Sequence, residues 1–234
     1  MTTVVPPITV ACLDMAGTTV ADDGSVLKAF EAAMATAGLV PGEPAFAAAD
    51  EIVRATMGQS KIEVFRRILG TEDRAQTANH AFEDAYAQSV RAGLVRPLPG
   101  AVETITALRA AGVRVCLATG FSPATRDALL DALGWRPLID LALSPADAGR
   151  GRPWPDLPLT ALLRLGGGAV SELLVAGDTP SDVESGLRAG AGVVAGVTTG
   201  AAAEDELAAA GAPYVLDSVT GLVPLLGIGA AAPR

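Results

Sequence analysis

Five short apolar runs, interleaved with helix-forming stretches, limit what this chain can fold into. The runs are segments 8–13 (ITVACL), 114–118 (RVCLA), 139–143 (IDLAL), 172–176 (ELLVA) and 192–197 (GVVAGV). Helix-forming stretches occupy 101–111, 123–133, 159–165 and 181–189, and a last short strand–helix unit falls around 214–226. Regular alternation of this kind predicts an α/β fold, a doubly wound parallel sheet with helices on both faces. Ligands of such sheets bind beyond the carboxyl ends of the strands.

The texture changes after the first run. Segments 26–38, 44–58, 60–70 and about 73–92 are Ala-rich and helix-forming, separated by Gly and Pro, with no strand-like run among them. The expected organisation is therefore an α/β core made of residues 1–23 and 95–234, interrupted by an inserted α-helical cap, residues 24–94. The chain would return to the core through Arg96-Pro97-Leu98-Pro99-Gly100.

Composition removes several classes of function. Half of the 234 residues are hydrophobic and 18% are charged, which supplies a core and excludes a disordered chain. A net charge of −9 repels phosphate backbones and anionic lipid, so neither a nucleic-acid partner nor a membrane partner is expected. The uncharged stretch 189–203 is broken by four glycines and two threonines and does not read as a membrane span. The N-terminal MTTVVPPITVACLDM lacks a basic region and is not read as a signal peptide. Cys12 and Cys116 lie inside apolar runs and read as reduced core thiols on neighbouring strands. The expectation is a cytoplasmic protein.

The strand ends carry the chemistry. Asp14 follows the first run, Thr119 the second, Arg152 lies in the loop after the third, and Asp178 and Asp182 follow the fourth. Two aspartates ending separate parallel strands converge on one point, and their hard oxygens suit Mg²⁺. A hydroxyl and a planar guanidinium at the same point supply donors to a phosphoryl group. Together they suggest an aspartyl-phosphate mechanism.

These motifs resemble those of the haloacid dehalogenase superfamily: Asp14-Met15-Ala16-Gly17-Thr18, Thr119-Gly120, Arg152-Pro153 and Gly177-Asp178-Thr179-Pro180-Ser181-Asp182. The resemblance implies that Asp14 is the nucleophile and that Asp14, the Ala16 carbonyl and Asp178 ligate Mg²⁺. It implies that Thr119, Gly120 and Arg152 bind the phosphoryl group, with Gly17, Thr18 and Asp182 in support. A homodimer joined through the cap would also resemble the family's habit.

Two details resemble the phosphonoacetaldehyde hydrolase (phosphonatase) branch. Most phosphatases of the superfamily carry an aspartate two residues after the nucleophile as general acid, and here that position is Ala16. An alkoxide would depart without the roughly 10²–10⁴-fold help that a positioned acid gives. The cap motif Met57-Gly58-Gln59-Ser60-Lys61 matches the branch's M-G-x-x-K, whose lysine forms a Schiff base with the substrate aldehyde. A C–P bond leaves a carbanion, which needs an electron sink and no immediate proton, so a missing acid and a present lysine suit one mechanism. Lys61 is one of only two lysines, the other being Lys28, against fifteen arginines. The branch's His and Tyr are replaced by Val64 and Phe121, which leaves desolvation to lower the Lys61 pKa. The expected substrate is phosphonoacetaldehyde or a close 2-oxo-phosphonate. The alternatives are a small phosphate monoester and, last, phosphate binding without turnover.

Other signals fail on context. Gly120-Phe121-Ser122-Pro123-Ala124 lacks the second glycine of a nucleophile elbow, and the single histidine, His80, lies upstream rather than downstream. The G-x-G-x-x-A at 190–195 follows a helix and enters a strand, the reverse of a dinucleotide site. Trp135 and Trp154 are isolated, with Trp154 placed to line the active-site mouth beside Arg152.

Overall fold

The computed structural model describes residues 7–229. The reading of the N-terminus as leader-free rests in part on residues 1–6, which lie outside the described residues. In chain order the elements are β1 (Val10–Asp14), β2 (Val20–Ala21), α1 (Ser25–Thr36), α2 (Pro44–Ala55), α3 (Lys61–Leu69), α4 (Glu72–Arg91), β3 (Arg96–Pro97), α5 (Ala101–Ala110), β4 (Arg114–Ala118) and α6 (Pro123–Leu133). There follow β5 (Leu141–Leu143), α7 (Pro145–Ala148), α8 (Asp156–Arg164), β6 (Leu173–Gly177), α9 (Pro180–Ala189), β7 (Val193–Val197), α10 (Glu204–Ala209), β8 (Tyr214–Leu216) and α11 (Leu222–Leu225).

Six strands form one parallel sheet in the order β5-β4-β1-β6-β7-β8. β1 is central, and the chain winds to one side through β4 and β5 and to the other from β6 onward. The switch point therefore lies at the carboxyl end of β1, between β4 and β6, where α/β sheets bind their ligands. β1, β6 and β7 are buried along their whole length, as parallel strands covered on both faces must be. Alternation along β1 sends Ala11 and Leu13 into one apolar layer and Val10 and Cys12 into the other. The first layer includes Ile105 and Leu108 of α5 and Leu129 of α6; the second includes Leu157 and Leu162 of α8. Cys12 and Cys116 are register partners on β1 and β4, buried and unbonded.

Helices α1 to α4 occupy the stretch read as the cap. At its root β2 pairs antiparallel with β3, and Leu98 N donates to the Thr19 carbonyl (3.0 Å), so exit and re-entry of the chain are tied together. Two residues per strand leave no periodicity to read, and this pairing was not expected. The stretch after β5, expected as a loop, opens with the short helix α7. The Ser144 N–H, at the start of that helix, donates to the Asp147 carboxylate (2.8 Å). The cap's apolar centre is aromatic: Phe30, Phe65, Phe82 and Tyr86 pack together, and Phe121 of the core joins them. Phe121 thus makes the cap and core layers one continuous apolar body. Among the described residues no helix is long and apolar enough to cross a membrane.

Candidate active site

The strands deliver the expected residues to one end of the sheet. Asp14 is the last residue of β1, Thr119 follows β4, Arg152 lies in the segment between β5 and α8, and Asp178 follows β6. All four are buried, as is Asp182 in the first turn of α9. Arg152 is the hub. Its Nη1 lies 2.6 Å from Asp14 Oδ1 and donates also to the Gly58 carbonyl (3.3 Å), while Nη2 donates to the Ala118 carbonyl (3.0 Å). Its Nε stands 2.7 Å from Asp182 Oδ1, an ion-pair distance in which the N–H is too bent to count as a hydrogen bond. The other Asp182 oxygen accepts from Thr179 N (3.1 Å) and Thr179 Oγ1, and Thr179 Oγ1 in turn accepts from Asp182 N. That capping box fixes the loop carrying Asp178 and fixes Arg152 through Asp182.

Asp178 is held from two sides. Thr18 Oγ1 donates to its Oδ1 (3.0 Å) and Ala201 N to its Oδ2 (2.7 Å). Gly17, at φ +88°, passes so close that a Cβ there would collide with the Asp178 carboxylate, which is why the loop after β1 needs glycine at that position. Thr119 Oγ1 accepts from Phe121 N (3.2 Å), leaving its own proton for another acceptor.

Three buried carboxylates, Asp14, Asp178 and Asp182, are faced by one guanidinium, so the cluster carries surplus negative charge. Burial raises Asp14 well above the carboxylate range; Arg152 opposes this, and Asp182 and Asp178 add to it. Burial, followed by Asp182, pushes Asp178 up to about 7. Such a donor set suits a hard divalent cation, which would supply the missing positive charge. Among the described residues no three His, Cys, Asp or Glu side chains group as a metal cluster. A cation between Asp14 and Asp178 therefore needs main-chain or solvent oxygens too, as the part given to the Ala16 carbonyl requires.

The cap lies directly over this end of the sheet. Lys61 N donates to the Gly120 carbonyl (3.2 Å), and Gln59 Nε2 donates to Ser181 Oγ (3.3 Å). A Cβ on Gly120 would collide with the Gln59 carbonyl oxygen, so the residue after Thr119 lets the cap approach. Met57 is half-buried against the main apolar cluster. Lys61, the first residue of α3, is 7% exposed rather than a solvated first-turn lysine. Its Nζ sits 5.5 Å from the Phe30 ring centre and 5.4 Å from that of Phe121, with one long hydrogen bond to the Gln59 carbonyl (3.4 Å). Burial lowers its pKa from the usual 10.5 to about 8; Arg152 lowers it too, while Asp14, Asp22 and Asp178 pull it back up. About one Lys61 in ten is then neutral at pH 7, against roughly one in several thousand for an ordinary lysine.

A groove of about 890 Å³ runs between α3, α4 and the loops after β4 and β5. It reaches Lys61, Gly120 and Arg152 but not Asp14, which is 5% exposed. Trp154 lines the groove, with the Arg150 guanidinium 4.3 Å from its ring centre. His80 is exposed on α4 and does not line the groove.

Sequence reasoning missed the loop after β7. Thr199 Oγ1 donates to the Gly17 carbonyl (2.7 Å), and Ala201 supplies the amide that holds Asp178. The signal was present, since Thr198-Thr199-Gly200 follows a strand-like run as the other site loops do. Asp22 and Tyr86 were missed as well, and no motif in the sequence marks them.

Comparison with known proteins agrees with this geometry. Residues 8–190 match the haloacid dehalogenase-like hydrolase family. The chain is 30% identical over 216 residues to the probable phosphatase IndB of Dickeya dadantii, covering 90% of each chain. It is 34% identical over 134 residues to the phosphonoacetaldehyde hydrolase of Hahella chejuensis, which is 56% of this chain but only 44% of that one. The structure of a phosphonoacetaldehyde hydrolase-like protein from Oleispira antarctica superposes with a TM-score of 0.80 at 26% identity, covering 95% of this chain and 92% of the other. With Asp14, Thr119, Arg152 and the carboxylate cluster assembled at the switch point, the chain belongs to the haloacid dehalogenase-like hydrolases.

Proposed function

We propose that the protein hydrolyses the C–P bond of phosphonoacetaldehyde, or of a close 2-oxo-phosphonate, to phosphate and the corresponding aldehyde. One observation carries the reading: a buried lysine of lowered pKa is held against a site whose position two residues after the nucleophile is Ala16. Thr119 and Arg152 bind the phosphonate oxygens and align phosphorus with Asp14. Neutral Lys61 condenses with the aldehyde and releases water, and with one proton taken up the product is an iminium. Asp14 attacks phosphorus, and the C–P pair flows into the iminium to leave an enamine and an aspartyl phosphate. Water hydrolyses the acyl phosphate; protonation of the enamine and hydrolysis of the imine release the aldehyde and restore Lys61. A magnesium ion held by Asp14, Asp178 and the Ala16 carbonyl supplies Lewis-acid charge at the phosphoryl oxygens. The cap excludes water from the reacting groups.

A second reading has specific support in the similarity to a probable phosphatase: the same Asp14 machinery acting on a small phosphate monoester. Phosphate release from phosphonoacetaldehyde and from ethyl phosphate, assayed side by side with Mg²⁺, separates the two. The first reading expects release from the phosphonate in large excess over the ester, and the reverse order contradicts it.

The lysine sets a pH dependence. The neutral amine is the attacking form, so kcat/KM for the phosphonate is expected to rise about tenfold per pH unit below 8 and to level above it. A profile flat from pH 6 to 9 would contradict a lysine nucleophile. The cation site has its own signature. Mg²⁺ at a hundredfold excess over its dissociation constant stabilises a single-site protein by about 2.7 kcal/mol, several degrees in Tm for a chain this size. Calorimetry is expected to show that rise in the wild type and its loss in Asp178→Asn; equal rises in both would place the ion elsewhere.

A further inference from the structure

Tyr86 is fully buried in α4, yet its hydroxyl has no hydrogen-bond partner among the described residues. Buried phenols are ordinarily paired, and an exception calls for an explanation. The ring lies 4.6 Å from that of Phe121 and stacks at 6.2 Å on Phe82. Phe121 is also the ring beneath Lys61 Nζ, and its main-chain N–H binds Thr119. Tyr86 and the amine thus share one aromatic enclosure, built from four of the chain's five phenylalanines.

The other polar groups of this enclosure are already engaged. Lys61 Nζ donates to the Gln59 carbonyl, and Asp22 Oδ1 accepts from Val26 N (2.9 Å). The Tyr86 hydroxyl bonds to neither. Burial, with the carboxylates of Asp22 and then Asp14 within electrostatic reach, raises its pKa far above the ordinary value, so it remains an O–H donor at every physiological pH. It is a fixed donor with its capacity unspent, packed against the Phe121 ring that the amine also faces, with Asp14 in electrostatic reach.

We infer that Tyr86 is a substrate-binding residue whose Oη–H donates to the aldehyde oxygen of the substrate while Lys61 attacks the adjoining carbon. The inference rests on the C–P hydrolase reading above. As the nitrogen lone pair forms the N–C bond, the C=O π pair moves onto oxygen. A preorganised donor stabilises the charge that develops there. The oxygen then takes a proton and the nitrogen loses one, giving a carbinolamine whose oxygen leaves as water with one further proton from solvent. The tyrosine keeps its own proton throughout. The same donor selects for substrates with an oxygen on the carbon next to the C–P carbon, because a substrate lacking it leaves the hydroxyl unpaired.

The test is Tyr86→Phe, which removes the hydroxyl and keeps the ring. With phosphonoacetaldehyde and Mg²⁺, kcat/KM and the rate of borohydride-trapped adduct on Lys61 are expected to fall on the order of 10²-fold, the scale of losing one such donor. Affinity for inorganic phosphate, measured by calorimetry, is expected to stay unchanged, and Tm to hold or rise, since no hydrogen bond is lost. Equal turnover by wild type and variant would overturn the inference and leave the C–P reading standing. A lower Tm or weakened phosphate binding would make the hydroxyl structural and overturn it as well. A wild type inactive on phosphonoacetaldehyde would remove the C–P reading and this inference together.

Discussion

Asp14→Asn is expected to abolish phosphate release from phosphonate and ester alike, by on the order of 10⁴–10⁶-fold, the range seen when a covalent nucleophile is removed. Asparagine keeps the shape of the side chain and offers no anionic oxygen to attack phosphorus. The loss is expected without unfolding. Asp14 sits in a cluster of three buried carboxylates against one guanidinium, and its own pKa is raised well above the usual range by burial. Removing its charge weakens its bond to Arg152 but also relieves repulsion by Asp178 and Asp182. Without divalent cation, Tm of the variant is therefore expected at or above that of wild type. Phosphate assays and calorimetry check both halves; retained turnover, or a collapse in Tm, would contradict the assignment.

Lys61→Arg is expected to remove C–P cleavage on the order of 10⁴-fold or more while the fold survives. Arginine keeps the positive charge over the Phe30 and Phe121 rings, so the cation–π contacts and the electrostatics around Asp14 persist. It cannot deprotonate at any accessible pH and so cannot form an imine. Without the iminium the electrons of the C–P bond have nowhere to go. If the lysine served only as a charge near the phosphoryl group, the arginine variant would retain most of its activity. Phosphate release from the two proteins at pH 8 distinguishes these cases.

Most of the core was legible because parallel strands announce themselves. β4 and α6 fall on the stretches expected for them, and β1, β6 and β7 lie within two residues of theirs. Asp14 and Asp178 were legible for the same reason, since a strand end fixes where the next side chain goes, whereas Arg152 lies beyond the short helix that follows β5. What escaped depends on packing between distant segments. The β2–β3 pairing is two residues long, and Asp22 and Tyr86 gain meaning only when α1, α3 and α4 close around Phe121. Lys61 stands between these cases. Its motif was visible in the chain, but its lowered pKa comes from burial among packed helices distant in sequence, which no local pattern encodes.

The most direct test is reductive trapping of the wild-type enzyme with phosphonoacetaldehyde and borohydride, followed by digestion and mass mapping. Hydride reduces an imine to a stable secondary amine, and with only Lys28 and Lys61 as side-chain amines the map is simple to read. The account predicts one adduct, on Lys61, formed in step with loss of activity while Lys28 stays unmodified. Full turnover of the phosphonate with Lys61 unmodified would contradict it.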